Sequence, residues 1–222
     1  MHCSGHYLLG LILITILFSC ATPTILQTEK KTDSEIAQLY VELGTAALLR
    51  GDYSQAISDL KRALTHDSNN AIGHNHLGLS YYGLEQKDLA KSEFEKAISI
   101  DSNYSDAYVN LGVLASEKSN YRDARGYYKK ALANLEYKFR HRALTNLAEV
   151  ALSENKTDEA REFLHQSIQA NPDYCLSHFL LGSIYLRENS ANKAVSSLQK
   201  SVSKNCVNNP EGHFQLGLAY VK

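Results

Sequence analysis

"HNHLGLSYYGLEQKDLAKSEFEKAISID", residues 74–101, decides the fold. A leucine–glycine pair, Leu77-Gly78, is followed by an aromatic at Tyr81, an alanine at Ala90, a large apolar side chain at Phe94 and an alanine at Ala97. The order returns along the chain. Leucine followed by a small residue stands at Leu43-Gly44, Leu77-Gly78, Leu111-Gly112, Leu147-Ala148, Leu181-Gly182 and Leu216-Gly217, in steps of 34, 34, 36, 34 and 35 residues. Ala56, Ala90, Ala124, Ala160 and Ala194 keep the same beat, and so do Ala63, Ala97, Ala131, Ser167 and Ser201. Self-similarity at such a period marks a stack of supersecondary units.

The residue types carry a physical reason. Gly44 on a first helix leaves room for a second helix to approach, and Ala56 on that helix keeps the distance small. Leu43, Leu60 and Leu64 are then expected to fill the seam of the first unit. No unit buries both its faces alone, so stacked neighbours supply the core.

The pattern of aromatic, Leu-Gly, aromatic, Ala, large apolar residue and Ala resembles the tetratricopeptide repeat over residues 37–222. The resemblance implies an all-α fold, a right-handed superhelical solenoid of antiparallel helix pairs. Repeats are expected at about 37–70, 71–104, 105–140, 141–174 and 175–209, with a partial unit at 210–222. Tight turns are expected at Gly51-Asp52, Gln86-Lys87 and Asn120-Tyr121. The connection between the third and fourth repeats is two residues longer and carries "EYKFRHR", Glu136 to Arg142. That segment reads either as a solvated turn or as a basic contact for acidic partner residues or lipid headgroups.

Composition agrees with a helical chain. Among 222 residues there are three prolines and no tryptophan, and the formal net charge of −1 gives no global field for nucleic acid.

The amino-terminal segment places the domain. Leu8 to Phe18 is an apolar run of eleven residues, about half the ~30 Å hydrocarbon thickness at 1.5 Å per residue, and it has the length of a signal-peptide core. It ends in Leu17-Phe18-Ser19-Cys20, which resembles a bacterial lipobox. The resemblance implies cleavage before Cys20 and acylation of its thiol, and Ala21 in place of Asp implies sorting to the outer membrane, facing the periplasm. A plain secretory signal cut near Ser19–Ala21, or an uncleaved anchor, are the alternatives. The expected organisation is a signal peptide at 1–19, a lipidated tether at 20–34 and the repeat domain at 35–222.

Residues that carry chemistry are not found. There is no Gly-rich phosphate loop, no Gly-x-Ser-x-Gly elbow and no Cys-x-x-Cys pair. Nothing calls for a cofactor, a metal or a small-molecule substrate. His74 and His76 lie two apart, on directions roughly 200° from each other on a helix, so they cannot share a metal. His74, His178 and His213 take the place of the repeat's first aromatic, as Tyr40 and Tyr108 do. Cys175 and Cys206 fall at the same end of the fifth helix pair, where a disulfide is sterically open to them and an oxidising compartment would preserve it. Two free thiols are the alternative.

What remains is binding. First-helix positions expected to line a concave groove are Val41, Thr45, Asn75, His76, Leu79, Tyr82, Val109, Asn110, Val113, Asn146, Glu149, Phe179 and Ser183. Asn110 and Asn146 are equivalent in adjacent repeats, so their amides would be placed to bond the backbone of an extended segment. A lipobox, a short tether and about six repeats, with "NLAEVAL" at Asn146 to Leu152 after a lengthened connection and "AKSEFEKA" at Ala90 to Ala97, resemble the pilotin lipoproteins of type IV pilus biogenesis. That resemblance implies a non-enzymatic lipoprotein whose partner is a secretin subunit, met by Val41, Thr45, Leu79 and Tyr82. A periplasmic scaffold lipoprotein for peptidoglycan enzymes or proteases is the alternative.

The register itself is testable. Ala90→Leu is expected to overpack the seam and lower stability by about 1–3 kcal/mol. An unchanged thermal midpoint would count against this alignment of the repeats.

Overall fold

The structure, a computed structural model, describes residues 32–221. The leader, Cys20 and the tether as far as Lys31 lie outside the described residues. The rest is a run of helix pairs: α1 (Asp33–Leu49) with α2 (Tyr53–His66), α3 (Ala71–Gly83) with α4 (Lys87–Ile100), and α5 (Ser105–Glu117) with α6 (Tyr121–Ala133). Then come α7 (Arg140–Ser153) with α8 (Thr157–Ala170), α9 (Cys175–Arg187) with α10 (Ala191–Ser201), a 3-10 turn at Lys204–Cys206, and α11 (Pro210–Val221). No strand occurs among the described residues. Each helix packs most extensively on its hairpin partner, and each second helix packs on the first helix of the next pair. This is the tetratricopeptide-repeat solenoid that the resemblance implies.

The first helix starts inside the segment expected to be tether. The Thr32 hydroxyl accepts from the Glu35 N–H at 3.3 Å, and the Glu35 carboxylate accepts from the Thr32 N–H at 2.7 Å. This capping box satisfies donors that an open helix end would leave bare, so the helix begins at Asp33.

Every hairpin turn closes in one way. In the second pair the Gln86 N–H donates to the Tyr81 carbonyl and the Glu85 N–H to the Tyr82 carbonyl, each at 2.9 Å. Asp52, Asn120, Lys156 and Ser190 repeat the longer bond. Such a helix ending needs one left-handed residue. It is Gly51 at φ 77°, then Glu85 at 59°, Ser119 at 56°, Asn155 at 61° and Asn189 at 55°. The turns of the second and third pairs therefore pivot one residue before the expected Gln86-Lys87 and Asn120-Tyr121.

Both alanine registers lie in the seams. Ala56, Ala90, Ala124, Ala160 and Ala194 are fully buried, as are Ala63, Ala97, Ala131, Ser167 and Ser201. The glycine of each Leu-Gly pair faces the large residue of the second helix. A methyl on Gly78 would fall 2.5 Å from the Phe94 ring, and one on Gly44 or Gly182 would fall 2.6 Å from Leu60 or Leu198. Where the fourth pair carries Ala148, its second helix presents Leu164, and both are fully buried.

Leu43 departs from the expectation. It is 46% exposed, whereas Leu77, Leu111, Leu147 and Leu181 are buried. This leucine packs against the preceding pair, not within its own, and no described helix precedes α1. At the other end α11 meets α10 and α9 but has no second helix of its own among the described residues. A methyl on Gly217 would accordingly meet no atom within 4 Å.

Alpha1 touches α3, α3 touches α5, and α5 touches α7, while successive second helices scarcely meet. Closer approach on one side bends the array, so the odd-numbered helices form its inner face.

The helix approach yields a paired test. Gly78→Ala pushes a methyl into Phe94 and is expected to destabilise by about 1–3 kcal/mol. Gly217→Ala meets open space and gains helix propensity of up to about 1 kcal/mol. Thermal denaturation of both variants should move the midpoint in opposite directions.

Candidate protein-binding groove

The inner face is built from odd helices, yet much of what they carry is already engaged. Val41, Asn75, Val109 and Asn110 do not line the groove as expected; all four are buried between adjacent first helices. Val41, Asn75 and Val109 share one position in the repeat, which the stack covers, and Asn110 stands at the next one, whose equivalents His76 and Asn146 are half-buried. The Asn110 amide donates to Asn75 Oδ1 at 2.9 Å across that joint. Its amide is thus bound inside the protein, not free for an incoming backbone. Asn146, one repeat later, is half-buried, and its amide meets the Tyr128 hydroxyl.

The remaining expected groove residues reach the face. Thr45 Oγ1 lies 2.7 Å from His76 Nδ1, and burial lowers the affinity of that ring for a proton. Tyr82 donates to Glu117 in a short hydrogen bond, which helps push its hydroxyl pKa up to about 12. Glu117 also holds Lys87 at 3.0 Å. Leu79, Val113, Phe179 and Ser183 are half-buried. Between α5, α6 and α7 lies a pocket of about 300 Å³ walled by Val113, Tyr121, Tyr128, Asn146, Glu149 and Val150, among others.

Glu149 is exposed at the mouth of that pocket, and its carboxyl is raised above the ordinary range by desolvation.

The long connection is neither a solvated turn nor a free basic patch. Tyr137 is buried and donates to Asp106 at 2.8 Å, and Arg142 meets the same carboxylate at 3.2 Å. Arg140 donates to the Leu132 and Asn134 carbonyls at 2.9 and 3.0 Å, capping the end of α6. His141 is buried between Phe139 and Tyr174, edge-on to both. Lys138 alone of the basic side chains has no partner among the described residues. The two additional residues therefore serve to lay a tyrosine across α5.

The two histidines of the His-Asn-His segment part company. His74 turns inward, with Nδ1 2.6 Å from Glu93 and Nε2 3.1 Å from the Ser68 carbonyl. His178 and His213 reach carbonyls six residues back in the same manner, Pro172 at 2.8 Å and Val207 at 3.0 Å. The histidine at the first-aromatic position thus ties down the turn before its helix, a role that the equivalent tyrosines do not share. Cys175 and Cys206 are joined by a disulfide, with 5.6 Å between their Cα atoms. It fastens the 3-10 turn to the start of α9, beside the Phe179 end of the groove.

Sequence reasoning missed the hydroxyl cluster of the fourth pair. Thr145 Oγ1 lies 2.9 Å from Ser167 Oγ and 2.7 Å from Ser177 Oγ, all of them fully buried. The signal was present: Ser167 stands where earlier repeats have alanine. A buried hydroxyl needs partners, and a second and third hydroxyl had to face it.

Known proteins share this arrangement of helix pairs. Tetratricopeptide-repeat family models match residues 37–84, 73–104 and 109–174. The type IV pilus assembly protein PilF of Pseudomonas aeruginosa is 31% identical over 146 residues, 66% of this chain and 58% of that protein. The chain thus spans little more than half the length of that relative. Protein O-mannosyl-transferase Tmtc3 of Drosophila melanogaster is 28% identical over 140 residues, 15% of its length. Among solved structures, Pseudomonas aeruginosa PilF superposes with a TM-score of 0.73 at 22% identity, covering 85% of this chain and 90% of that one. PilW, a widely conserved type IV pilus biogenesis factor, gives 0.73 at 20% identity, covering 84% and 87%. MamA gives 0.58 at 22%. At these identities the superpositions speak for the fold.

A pH response follows from His141. Its Nδ1 is buried without a hydrogen-bond partner among the described residues, and burial, aided by Arg142, lowers its affinity for a proton. A histidine whose folded pKa lies below its unfolded value stabilises the fold above that unfolded value, near 6.5. The contribution is lost as pH falls towards the folded value, because the unfolded chain takes up the proton first. His141→Phe is expected to flatten the drop in melting temperature between about pH 7 and about pH 5. Equal slopes in variant and wild type would refute this.

Proposed function

We propose that this chain is a lipid-anchored protein-binding component of type IV pilus biogenesis. Cys20 carries the acyl chains that hold it to the outer membrane, and the repeats face the periplasm. There they bind secretin subunits and help them reach that membrane and assemble. The work is binding and not catalysis. The observation that carries this reading is the similarity to PilF, which extends over several consecutive repeats and not over a single generic unit. The inner face supports it with half-buried apolar side chains, Leu79, Val113 and Phe179, beside polar ones. Two or more acyl chains would make the anchoring stable, where one chain alone binds a bilayer only marginally.

Deletion of the gene is expected to abolish secretin multimers and twitching motility, both restored by the wild-type chain. Labelled palmitate should enter the wild type and not Cys20→Ala, and the variant should leave the outer-membrane fraction. Intact secretin multimers in the deletion strain, with defects of cell shape or septation, would overturn the pilus reading in favour of an envelope scaffold.

A further inference from the structure

We propose that the inner face between α5 and α7 seats a basic side chain: a bound polypeptide sets one lysine or arginine against the Glu149 carboxylate. Its apolar neighbours lie on Val113 and the Tyr121 ring. The inference deepens the proposed function by naming the chemistry of the ligand, and it rests on that reading only in taking the ligand to be a polypeptide.

Elsewhere near its repeat joints this protein pairs its carboxylates with cations. Glu93 meets Lys96 at 2.7 Å. Asp106 meets Arg142, and Glu117 meets Lys87. Glu154 and Glu159 share Arg125, at 2.6 and 2.8 Å, and Glu188 is held by Arg161. Glu149 breaks the pattern, for its carboxylate has neither a hydrogen bond nor an ion pair among the described residues. Its surroundings also disfavour its charge. A cation brought from outside would relieve that penalty, because an opposite charge within about 4–6 Å favours the ionised form.

The walls match the rest of such a ligand. The pocket of about 300 Å³ suits one long side chain better than a whole helix. A tyrosine face such as that of half-buried Tyr121 attracts ammonium and guanidinium groups, and the aliphatic stem of lysine or arginine lies readily along apolar surface such as Val113. Glu117 on the rim adds no competing site, since Tyr82 and Lys87 already bind it. A single carboxylate cannot by itself hold a metal ion, and the pocket opens onto the continuous inner face where an extended chain would run.

The test uses the full chain and four fluorescent peptides that share an apolar frame and differ at one central position: Arg, Lys, Gln or Glu. Fluorescence polarisation is expected to show the Arg and Lys peptides binding at least about tenfold more tightly than the Gln peptide, with Glu weakest. Glu149→Gln should erase that preference while leaving the Gln peptide's affinity within about twofold, and Glu149→Lys should invert it. Circular dichroism would verify that both variants fold, as expected for an exposed helical position. The inference is overturned if the central residue makes no difference, if the preference survives Glu149→Gln, or if no peptide binds at about 1 mM. Normal pilus assembly without this chain would leave the peptide result standing, and indifferent peptides would leave the pilus assay standing, so the two failures are distinct.

Discussion

Two backbones can approach closely only where one of them has no side chain in the way. In this protein that condition is met in four of the five helix pairs, where Gly44, Gly78, Gly112 or Gly182 faces a large residue from the second helix, and the fourth pair has the small Ala148 there. The glycine and its opposite number form one interlocking unit. Phe94 and Tyr128 occupy space that a methyl at Gly78 or Gly112 would fill. Alanines on the second helix, all of them fully buried, complete the joint from the other side. Each second helix then packs on the first helix of the next pair. The array curves because its first helices lie nearer to one another than its second helices do.

Regular joints leave the polar groups to be satisfied locally, and the chain does so with recurring devices. Every hairpin ends in the same left-handed residue and the same long backbone bond, although only Gly51 is free of a side-chain penalty there. Charged ties run between repeats, from Arg125 to the turn of the fourth pair and from Arg161 to that of the fifth. Where a repeat departs from the pattern, the departure is compensated nearby. Ser167 brings hydroxyls from Thr145 and Ser177, and the lengthened connection brings Tyr137 and Arg142 to a single carboxylate, Asp106. The fifth pair is fastened by a covalent bond where the intervening helix is shortest.

The consequence for binding is that a groove residue is defined by what the stack leaves unused. Asn75 and Asn110 have amides well suited to hold a backbone, yet they bond each other. Tyr82 has its hydroxyl directed to Glu117, and Thr45 and His76 are paired. Half-buried apolar side chains and Glu149 remain open along the inner face. That combination favours an amphipathic segment with a basic group, in a fold whose use as a binding surface varies widely from one protein to another.

The repeated residue pattern, with the resemblance it carries, pointed to the helix pairs and to both alanine registers of the seams. Helix packing tolerates so few residue types at close approach that glycine and alanine at a fixed interval carry the geometry openly. The closeness of Cys175 and Cys206 was legible for the same reason, since antiparallel helices bring their ends together. The sequence did not determine which side of a first helix faces the neighbouring repeat and which faces the ligand. Val41 and Thr45 are one turn apart, and the angle between successive pairs decides that the first is covered and the second is not. Leu43 is 46% exposed although it shares its register with the buried Leu77, Leu111, Leu147 and Leu181, a difference that no local pattern encodes. The unpaired state of Glu149 is likewise a tertiary fact, because it depends on where Arg125, Arg142 and Lys87 end up, each of them attracted to another carboxylate.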